Sequence, residues 1–235
     1  VFLVDGKPVK LKGVNRHECD PYLGHTVTDA RQLEDFKLLK QGNINHIRNA
    51  HYPQNPYFYY LANKLGIYVM DEANIESHGF YYGKASPSRF KEWEAAHVAR
   101  VLGMVEWHKN HPSIVIWSLG NEAGPGDNFK TCYNEAKKVD SSRPFQYERN
   151  NDIVDMGSNQ YPSVGSVKDT ASGKASWVKY PFYISEYAHN MNNAMGNLKD
   201  YQDAIESSDR ILGAAIWDWV DQGLYLDTTN GARVI

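Results

Sequence analysis

The sequence of 235 residues has little of several features that each indicate a particular class of protein. Its two cysteines, Cys19 and Cys132, are too few for a disulfide framework and lack the spacing of a metal-binding motif. Because no run approaches the roughly 18 apolar residues of a membrane span, we expect no membrane partner. The 18 glycines and 10 prolines exclude a collagen-like chain or a proline-rich linker.

The excess of negative over positive charge is also small, since the formal net charge is −3 at pH 7. No basic stripe stands out, which argues against a nucleic-acid partner. The hydrophobic fraction of 42% excludes a disordered chain and is enough for a substantial core. Aromatic residues are abundant at 13%, and exposed tryptophan and tyrosine rings stack well on sugars. We assign most of these rings to the core and keep a carbohydrate site as a hypothesis.

Short β-rich runs alternate with helix-period runs, a pattern typical of βα units around a parallel sheet. Eight strands are predicted, at residues 9–14, 44–48, 67–71, 114–119, 145–148, 156–160, 182–185 and 211–217. Eight such units in about 200–250 residues predict an α/β fold, the TIM (β/α)8 barrel. A doubly wound sheet is the alternative, but residues 13–18 (GVNRHE) lack the glycine-rich phosphate loop that it would place after the first strand.

The predicted helices have recognisable ends. Asp29 and Gln32 form a candidate capping box for the first helix, which Gly42 ends. Further helices are predicted at residues 55–65 (closed by Gly66), 90–109, 128–139 and 198–207. The connection between the fifth and sixth strands is short, and residues 163–180 are predicted as a loop with room for one short helix.

Polar or ionisable clusters follow seven of the eight predicted strands, at residues 15–18, 48–52, 71–78, 118–122, 159–161, 185–189 and 217–221. In a TIM barrel these positions share one face, where active sites are built. Glu122 and Glu186 follow two strands across that mouth, an arrangement that matches the carboxylate pair of a glycosidase. The alternative for Glu122 alone is a loop acid that caps the next helix.

Glu76 and His78 are two residues apart, so both can face one way from an extended loop. A carboxylate-rich site of this kind suits Mg²⁺ better than Zn²⁺. From the spacing alone, a hydrogen-bonded loop pair is the favoured interpretation.

Several of these segments resemble the central barrel domain of family 2 glycoside hydrolases, and more narrowly that of the large β-galactosidases. The matching stretches are residues 13–18 (GVNRHE), 51–53 (HYP), 71–79 (DEANIESHG), 110–122 (NHPSIVIWSLGNE), 141–144 (SSRP), 186–189 (EYAH) and 217–222 (WDWVDQ), in the family's order. The resemblance implies a retaining hydrolase of terminal β-galactosides such as lactose. It implies Glu122 as acid/base and Glu186 as nucleophile. Supporting or sugar-contacting roles are implied for Arg48, His51, Asn121, Tyr161, His189 and Trp217.

The resemblance also implies that Glu76, His78 and Glu122 hold Mg²⁺, while the ligands of a Na⁺ site in the intact enzyme cannot be assigned here. A β-glucuronidase or β-mannosidase of the same family is the nearest alternative. A sugar-binding barrel without catalysis would lack one of the acids, and a metallohydrolase barrel would need more histidine and aspartate ligands. The family's flanking β-sandwich domains and homo-oligomers are expected of the intact protein.

We interpret residues 1–235 as one catalytic barrel domain from a longer chain, because the sequence starts at Val1 and not at an initiator methionine. No signal-peptide pattern follows Val1, and the localisation of the intact protein stays open. Only 18 residues follow Trp217, and residues 227–231 are predicted as a turn. We therefore expect a barrel cut before its last helix, with an apolar groove beside the first and eighth strands.

Overall fold

The structure is a computed structural model that describes residues 1–80, 83–194, 196–228 and 231–234. Eight parallel strands form one sheet among these residues. They are β1 (Leu11–Arg16), β2 (His46–Asn49), β3 (Tyr68–Glu72), β4 (Ile114–Ser118), β5 (Phe145–Gln146), β6 (Gly157–Gln160), β7 (Phe182–Tyr187) and β8 (Ile211–Ile216). Each pairs with its neighbours in the sequence except β5 and β6, which do not pair with each other. β8 pairs with β1, so the order around the sheet is β5-β4-β3-β2-β1-β8-β7-β6. The TIM barrel and all eight predicted strands are confirmed.

A seam between β5 and β6 completes the ring without a strand ladder among the described residues. The backbone N–H of Asp155 donates to the carbonyl of Phe145 over 3.1 Å. The Ser158 hydroxyl donates to Gln146 Oε1 over 2.7 Å. The connection across the seam is short, as predicted, and contains only the 3-10 turn Asn151–Ile153.

In the part of the chain that the structure describes, six helices surround the sheet: α1 (Asp29–Gln41), α2 (Pro56–Leu65), α3 (Glu94–His108), α4 (Asn128–Val139), α5 (Val164–Ser172) and α6 (Leu198–Glu206). The capping box at Asp29 is wrong, because Thr28 has the extended backbone of a cap and its hydroxyl accepts the N–H of Arg31. The third helix begins later than predicted, since Phe90 is extended and separates two 3-10 turns. α5 is the short helix in the predicted loop, capped by Ser163 and Gly173.

Beyond β8, residues 217–228 and 231–234 contain no helix, in agreement with the prediction. Tyr225–Thr228 pairs instead with Gly231–Val234 as an antiparallel hairpin. Residues 229 and 230, within the predicted turn at 227–231, lie outside the described residues. The expected groove is not uniformly apolar, because Lys12 points outward from β1 and forms an exposed ion pair with Glu206 over 3.0 Å.

The barrel interior is layered. At the end where the strands begin, apolar side chains from around the ring fill the interior, namely Leu11, Met70, Ile116, Met156, Tyr183, Leu212 and Ala215. His46 lies against this layer and its Nε2 is 2.7 Å from the Tyr183 hydroxyl. Gly13 makes room for this ring, since a Cβ at that position would lie 2.5 Å from His46 Cδ2. No helix among the described residues has the length and hydropathy needed to cross a bilayer.

Candidate active site at the carboxyl ends of the strands

Arg48 organises the polar layer at the other end of the barrel. It lies on β2 and is fully buried, so its charge requires partners inside the protein. The guanidinium pairs with Glu72 on β3 at 2.7 Å and with Glu186 on β7 at 2.8 Å. It also donates to the side-chain oxygens of Asn15 and Asn121 over 2.8 and 2.9 Å. One arginine therefore joins side chains from β1, β2, β3 and β7 and from the loop after β4.

Glu186 is the penultimate residue of β7 and is 4% exposed, so its charge needs compensation. Its Oε1 accepts from Arg48 and from Gln160 Nε2, each over 2.8 Å. Its Oε2 accepts from the Tyr161 hydroxyl over 2.7 Å. Burial favours the neutral acid, but the Arg48 charge, the Tyr161 hydrogen bond and nearby His51 outweigh it and lower the pKa of Glu186. The carboxylate is therefore held in its ionised form.

The turn after β4 presents Glu122 to the same space. Gly120 has a φ of 151°, and a Cβ there would lie 2.7 Å from the Ile75 carbonyl oxygen. That carbonyl accepts the N–H of Asn121 over 2.8 Å, so the two loops approach closely only because residue 120 is glycine. Glu122 follows with a φ of 43°, a left-handed conformation that costs about 1 kcal/mol or more for a side-chain-bearing residue. Such strain is common at functional sites.

The Glu122 carboxylate is partly buried and contacts an arginine and a histidine. Its Oε1 accepts from Arg149 Nη2 over 3.1 Å, and its Oε2 lies 2.9 Å from His78 Nδ1. Its backbone N–H donates to Glu148 Oε1 over 2.9 Å. Burial raises the pKa of Glu148 to about 7, although the Arg48 charge acts in the opposite direction.

Glu76, His78 and Glu122 form a cluster whose ligand atoms all lie within 4.8 Å of one another. Glu76 is held in place by Asn121, whose amide donates to Glu76 Oε2 over 2.5 Å. Two carboxylates and an imidazole at this spacing form a donor set with mostly hard oxygen ligands, which fits Mg²⁺. The three residues named from the sequence as metal ligands are therefore brought together.

Aromatic rings line the opposite side of the mouth. His51 and Trp217 are stacked, with ring centroids 5.1 Å apart and planes at 11°. His17 meets the edges of both rings at 5.4 and 5.5 Å. His189 lies 6.2 Å from Trp217 and 6.2 Å from Tyr161. A cavity of about 420 Å³ opens beside His189 and Trp217.

The family described as glycosyl hydrolases family 2, TIM barrel domain, matches residues 1–235. The chain belongs to glycoside hydrolase family 2. A β-galactosidase from Pseudoalteromonas haloplanktis is 45% identical over 97% of this chain, and a β-galactosidase from Alteromonas mediterranea is 45% identical over 98%. The chain spans 23% of the length of each.

A solved β-glucuronidase from Ruminococcus gnavus shares the fold of this family 2 chain, with a TM-score of 0.78 over 97% of this chain and 46% of that one, at 24% identity. A family 2 member from Bacteroides cellulosilyticus superposes with a TM-score of 0.71 over 91% of this chain and 29% of that one, at 23% identity. At this identity both likenesses concern the fold alone.

Every residue that was predicted from the sequence as catalytic, sugar-contacting or metal-binding lies in this one site, but several of their neighbours were not predicted. Gln160 and His17 belong to strand ends already recognised as polar, yet neither was given a role. Glu148 and Arg149 follow β5, the one strand end without a predicted polar cluster. Arg149 directly follows the predicted strand at residues 145–148, whereas Glu148 was placed inside that strand, which ends earlier in the structure. Burial and the adjacent His51 lower the pKa of His17 to about 4, so its ring is neutral at pH 7.

Proposed function

We propose that this chain is the catalytic barrel of a retaining β-galactosidase that cleaves terminal β-D-galactosides such as lactose. The observation that supports this most is the Glu186 carboxylate, which Arg48 and Tyr161 hold ionised in the same mouth as Glu122. The relatives at 45% identity are named β-galactosidases, which favours galactose over glucuronic acid or mannose. Both acids are present, which argues against a barrel that only binds sugar.

In the first step Glu186 attacks the anomeric carbon of the galactoside while Glu122 donates a proton to the glycosidic oxygen. The bond between the anomeric carbon and that oxygen breaks, the aglycone leaves as an alcohol, and a covalent galactosyl-enzyme forms. In the second step Glu122 takes a proton from water, whose oxygen attacks the anomeric carbon and releases Glu186. Two inversions give net retention of configuration.

Each carboxyl group has surroundings that suit its role. Glu186 is nine-tenths buried and hydrogen-bonded at both oxygens, which fixes its orientation toward the anomeric carbon. The phenol of Tyr161 stays protonated because burial and the Glu186 charge raise its pKa, so it remains a donor. The neutral ring of His17 and the rings of His51 and His189 can hydrogen-bond sugar hydroxyls.

Trp217 is proposed to offer a ring face to the apolar side of galactose, with His51 stacked behind it at 5.1 Å. Asn121 is proposed to contact the sugar beside Glu122. Its amide already bonds Glu76 and its oxygen accepts from Arg48, so its orientation is set by both ends.

Glu76, His78 and Glu122 are proposed to hold Mg²⁺, which would supply positive charge beside the acid when bound. Since the chain spans 23% of the length of its β-galactosidase relatives, we further propose flanking β-sandwich domains, a Na⁺ site with ligands outside this barrel, and a homo-oligomer.

The test uses the intact protein with chromogenic β-galactoside, β-glucuronide and β-mannoside substrates. We expect turnover of the galactoside alone, release of the β-anomer first by proton NMR, and about a 10³-fold or greater loss of kcat in Glu186→Gln. Glu106→Gln, at an exposed position on α3, is the matched control and should retain wild-type rates. A 2-deoxy-2-fluorogalactoside should label the peptide that contains Glu186; labelling elsewhere, or activity in Glu186→Gln, would refute the assignment.

A further inference from the structure

Two side chains that the proposed mechanism does not use connect its two carboxylates. Arg149 Nη2 donates to Glu122 Oε1 over 3.1 Å and to Gln160 Oε1 over 2.6 Å. The amide of Gln160 then donates to Glu186 Oε1 over 2.8 Å and to Asn121 Oδ1 over 2.8 Å. A continuous hydrogen-bonded path therefore runs from the proposed acid to the proposed nucleophile.

We propose that Arg149 and Gln160 form a positioning bridge that sets the placement of Glu122 relative to Glu186. This inference rests on the proposed function, because it assigns the two ends of the bridge their roles. Neither bridge residue needs to touch the substrate. Their effect is exerted through the two carboxylates that do.

The orientation of the Gln160 amide is determined by its partners. Its oxygen faces a guanidinium and its nitrogen faces a carboxylate and an amide oxygen. A flipped amide would place its oxygen against Glu186 and its NH₂ group against Arg149, so all three contacts would be lost. Gln160 is 8% exposed, and a buried amide with satisfied partners is strongly held in one orientation.

The location of the bridge explains why a side-chain link is needed here. Arg149 follows β5 and Gln160 ends β6, and these are the two strands at the seam, which have no ladder between them among the described residues. Glu122 follows β4 and Glu186 lies on β7, so the seam lies between the two acids around the ring. Apart from the hydrogen bond between the Asp155 N–H and the Phe145 carbonyl, side chains therefore hold together here what strand ladders hold together elsewhere in the barrel.

Charge supports the same role. Each carboxylate contacts its own guanidinium, Glu186 that of Arg48 and Glu122 that of Arg149. The neutral amide of Gln160 joins the Glu122–Arg149 pair to the Glu186–Arg48 pair.

The bridge predicts a dependence on the leaving group. A misplaced Glu122 donates its proton poorly, which matters most when the aglycone is a poor leaving group. A 2,4-dinitrophenyl aglycone leaves without a proton, so kcat/KM for that substrate does not require acid help. A general loss of folding would instead lower kcat/KM for both substrates by the same factor.

The experiment compares Arg149→Gln, Gln160→Leu and the double variant in the intact protein, with phenyl and 2,4-dinitrophenyl β-galactosides. We expect Arg149→Gln to lower kcat/KM for the phenyl substrate by roughly 10- to 100-fold, and for the dinitrophenyl substrate by less than about 3-fold. Gln160→Leu also removes a hydrogen bond to Glu186, so it should lower kcat/KM for both substrates, with the larger loss for the phenyl substrate. The double variant should lose little more than either single one, because one break already opens the bridge. Arg31→Gln and Gln41→Leu, at positions on α1 outside the site, are the controls and should keep wild-type values.

Three sets of results distinguish the positioning bridge from a structural role and from a failure of the proposed function. Leaving-group-dependent, non-additive losses support the bridge. Equal losses with both aglycones, multiplicative losses in the double variant, or no loss overturn the bridge and leave the proposed function standing. A wild-type protein that hydrolyses neither galactoside overturns the proposed function and the bridge together.

Discussion

Replacing Tyr161 by phenylalanine removes the one hydrogen bond that Glu186 Oε2 receives from a described side chain, a contact of 2.7 Å. The ring of residue 161 and its contact with His189 are kept. A hydrogen bond to a charged group contributes about 1.5–3 kcal/mol, and the lower end applies because Tyr161 is 45% exposed. That corresponds to roughly a 10-fold loss of kcat, since 1.4 kcal/mol is a factor of ten.

The same change should alter the pH profile in a defined direction. The Tyr161 hydrogen bond helps to lower the pKa of Glu186, so its loss raises that pKa. The acid limb of kcat/KM for the intact protein should therefore move to higher pH. Tyr180→Phe, which removes the hydroxyl that donates to the Thr170 carbonyl away from the site, is the control. An unmoved acid limb with kcat within 3-fold of wild type would refute this reasoning.

Three further predictions follow from other parts of the molecule. Gly120→Ala places a Cβ 2.7 Å from the Ile75 carbonyl oxygen, so it should lower the free energy of unfolding by about 1–3 kcal/mol, seen as a lower thermal midpoint, and should also lower kcat. Gly103→Ala is the control, because a Cβ there would have no neighbour within 4 Å, and it should change neither quantity. Removing divalent cations with EDTA should lower kcat and Mg²⁺ should restore it, whereas Glu76→Gln should abolish the response to Mg²⁺; activity indifferent to EDTA would contradict the metal proposal. Burial lowers the pKa of His46 to about 3 from the usual 6.5, so on acidification the unfolded chain takes up a proton before the folded one does. The free energy of unfolding should therefore fall as the pH drops from 6.5 to 3, by roughly 2 kcal/mol at pH 5 from this group. Denaturant titration at pH 7 and pH 5 should show this contribution in the wild type and not in His46→Gln.

The sequence predicts the eight strands well because local patterns determine them. Each strand is a short apolar run that ends in a polar cluster, and glycine closes the second helix at Gly66 in the left-handed conformation. Where the prediction failed, the cause was tertiary or geometric. The cap of the first helix shifted by one residue to Thr28, because only the extended residue can accept from the helix N-terminus.

The site was predicted less evenly. Residues with a recognisable motif, such as Glu122 and Glu186, were named from the sequence together with the roles that the resemblance implies, and the structure places them in one mouth. Residues whose importance comes from a contact across the barrel were not, since Arg149 and Gln160 are 11 positions apart and meet only because β5 and β6 are adjacent. Nothing in local composition distinguishes Arg149 from a surface arginine.

The seam also makes the barrel a split ring whose gap lies between its two acids. Retaining glycosidases separate their carboxyl groups by about 5–5.5 Å and inverting ones by about 6.5–9.5 Å, so a widening of about 1–4 Å would change the stereochemical outcome. In a ring closed by continuous ladders such a change would need many coordinated backbone shifts. Here the gap is spanned by a backbone hydrogen bond from Asp155 to Phe145 and by a few side chains, including Ser158, Gln146, Arg149 and Gln160. Substitutions there can tune the spacing of the acids while leaving both acids in place.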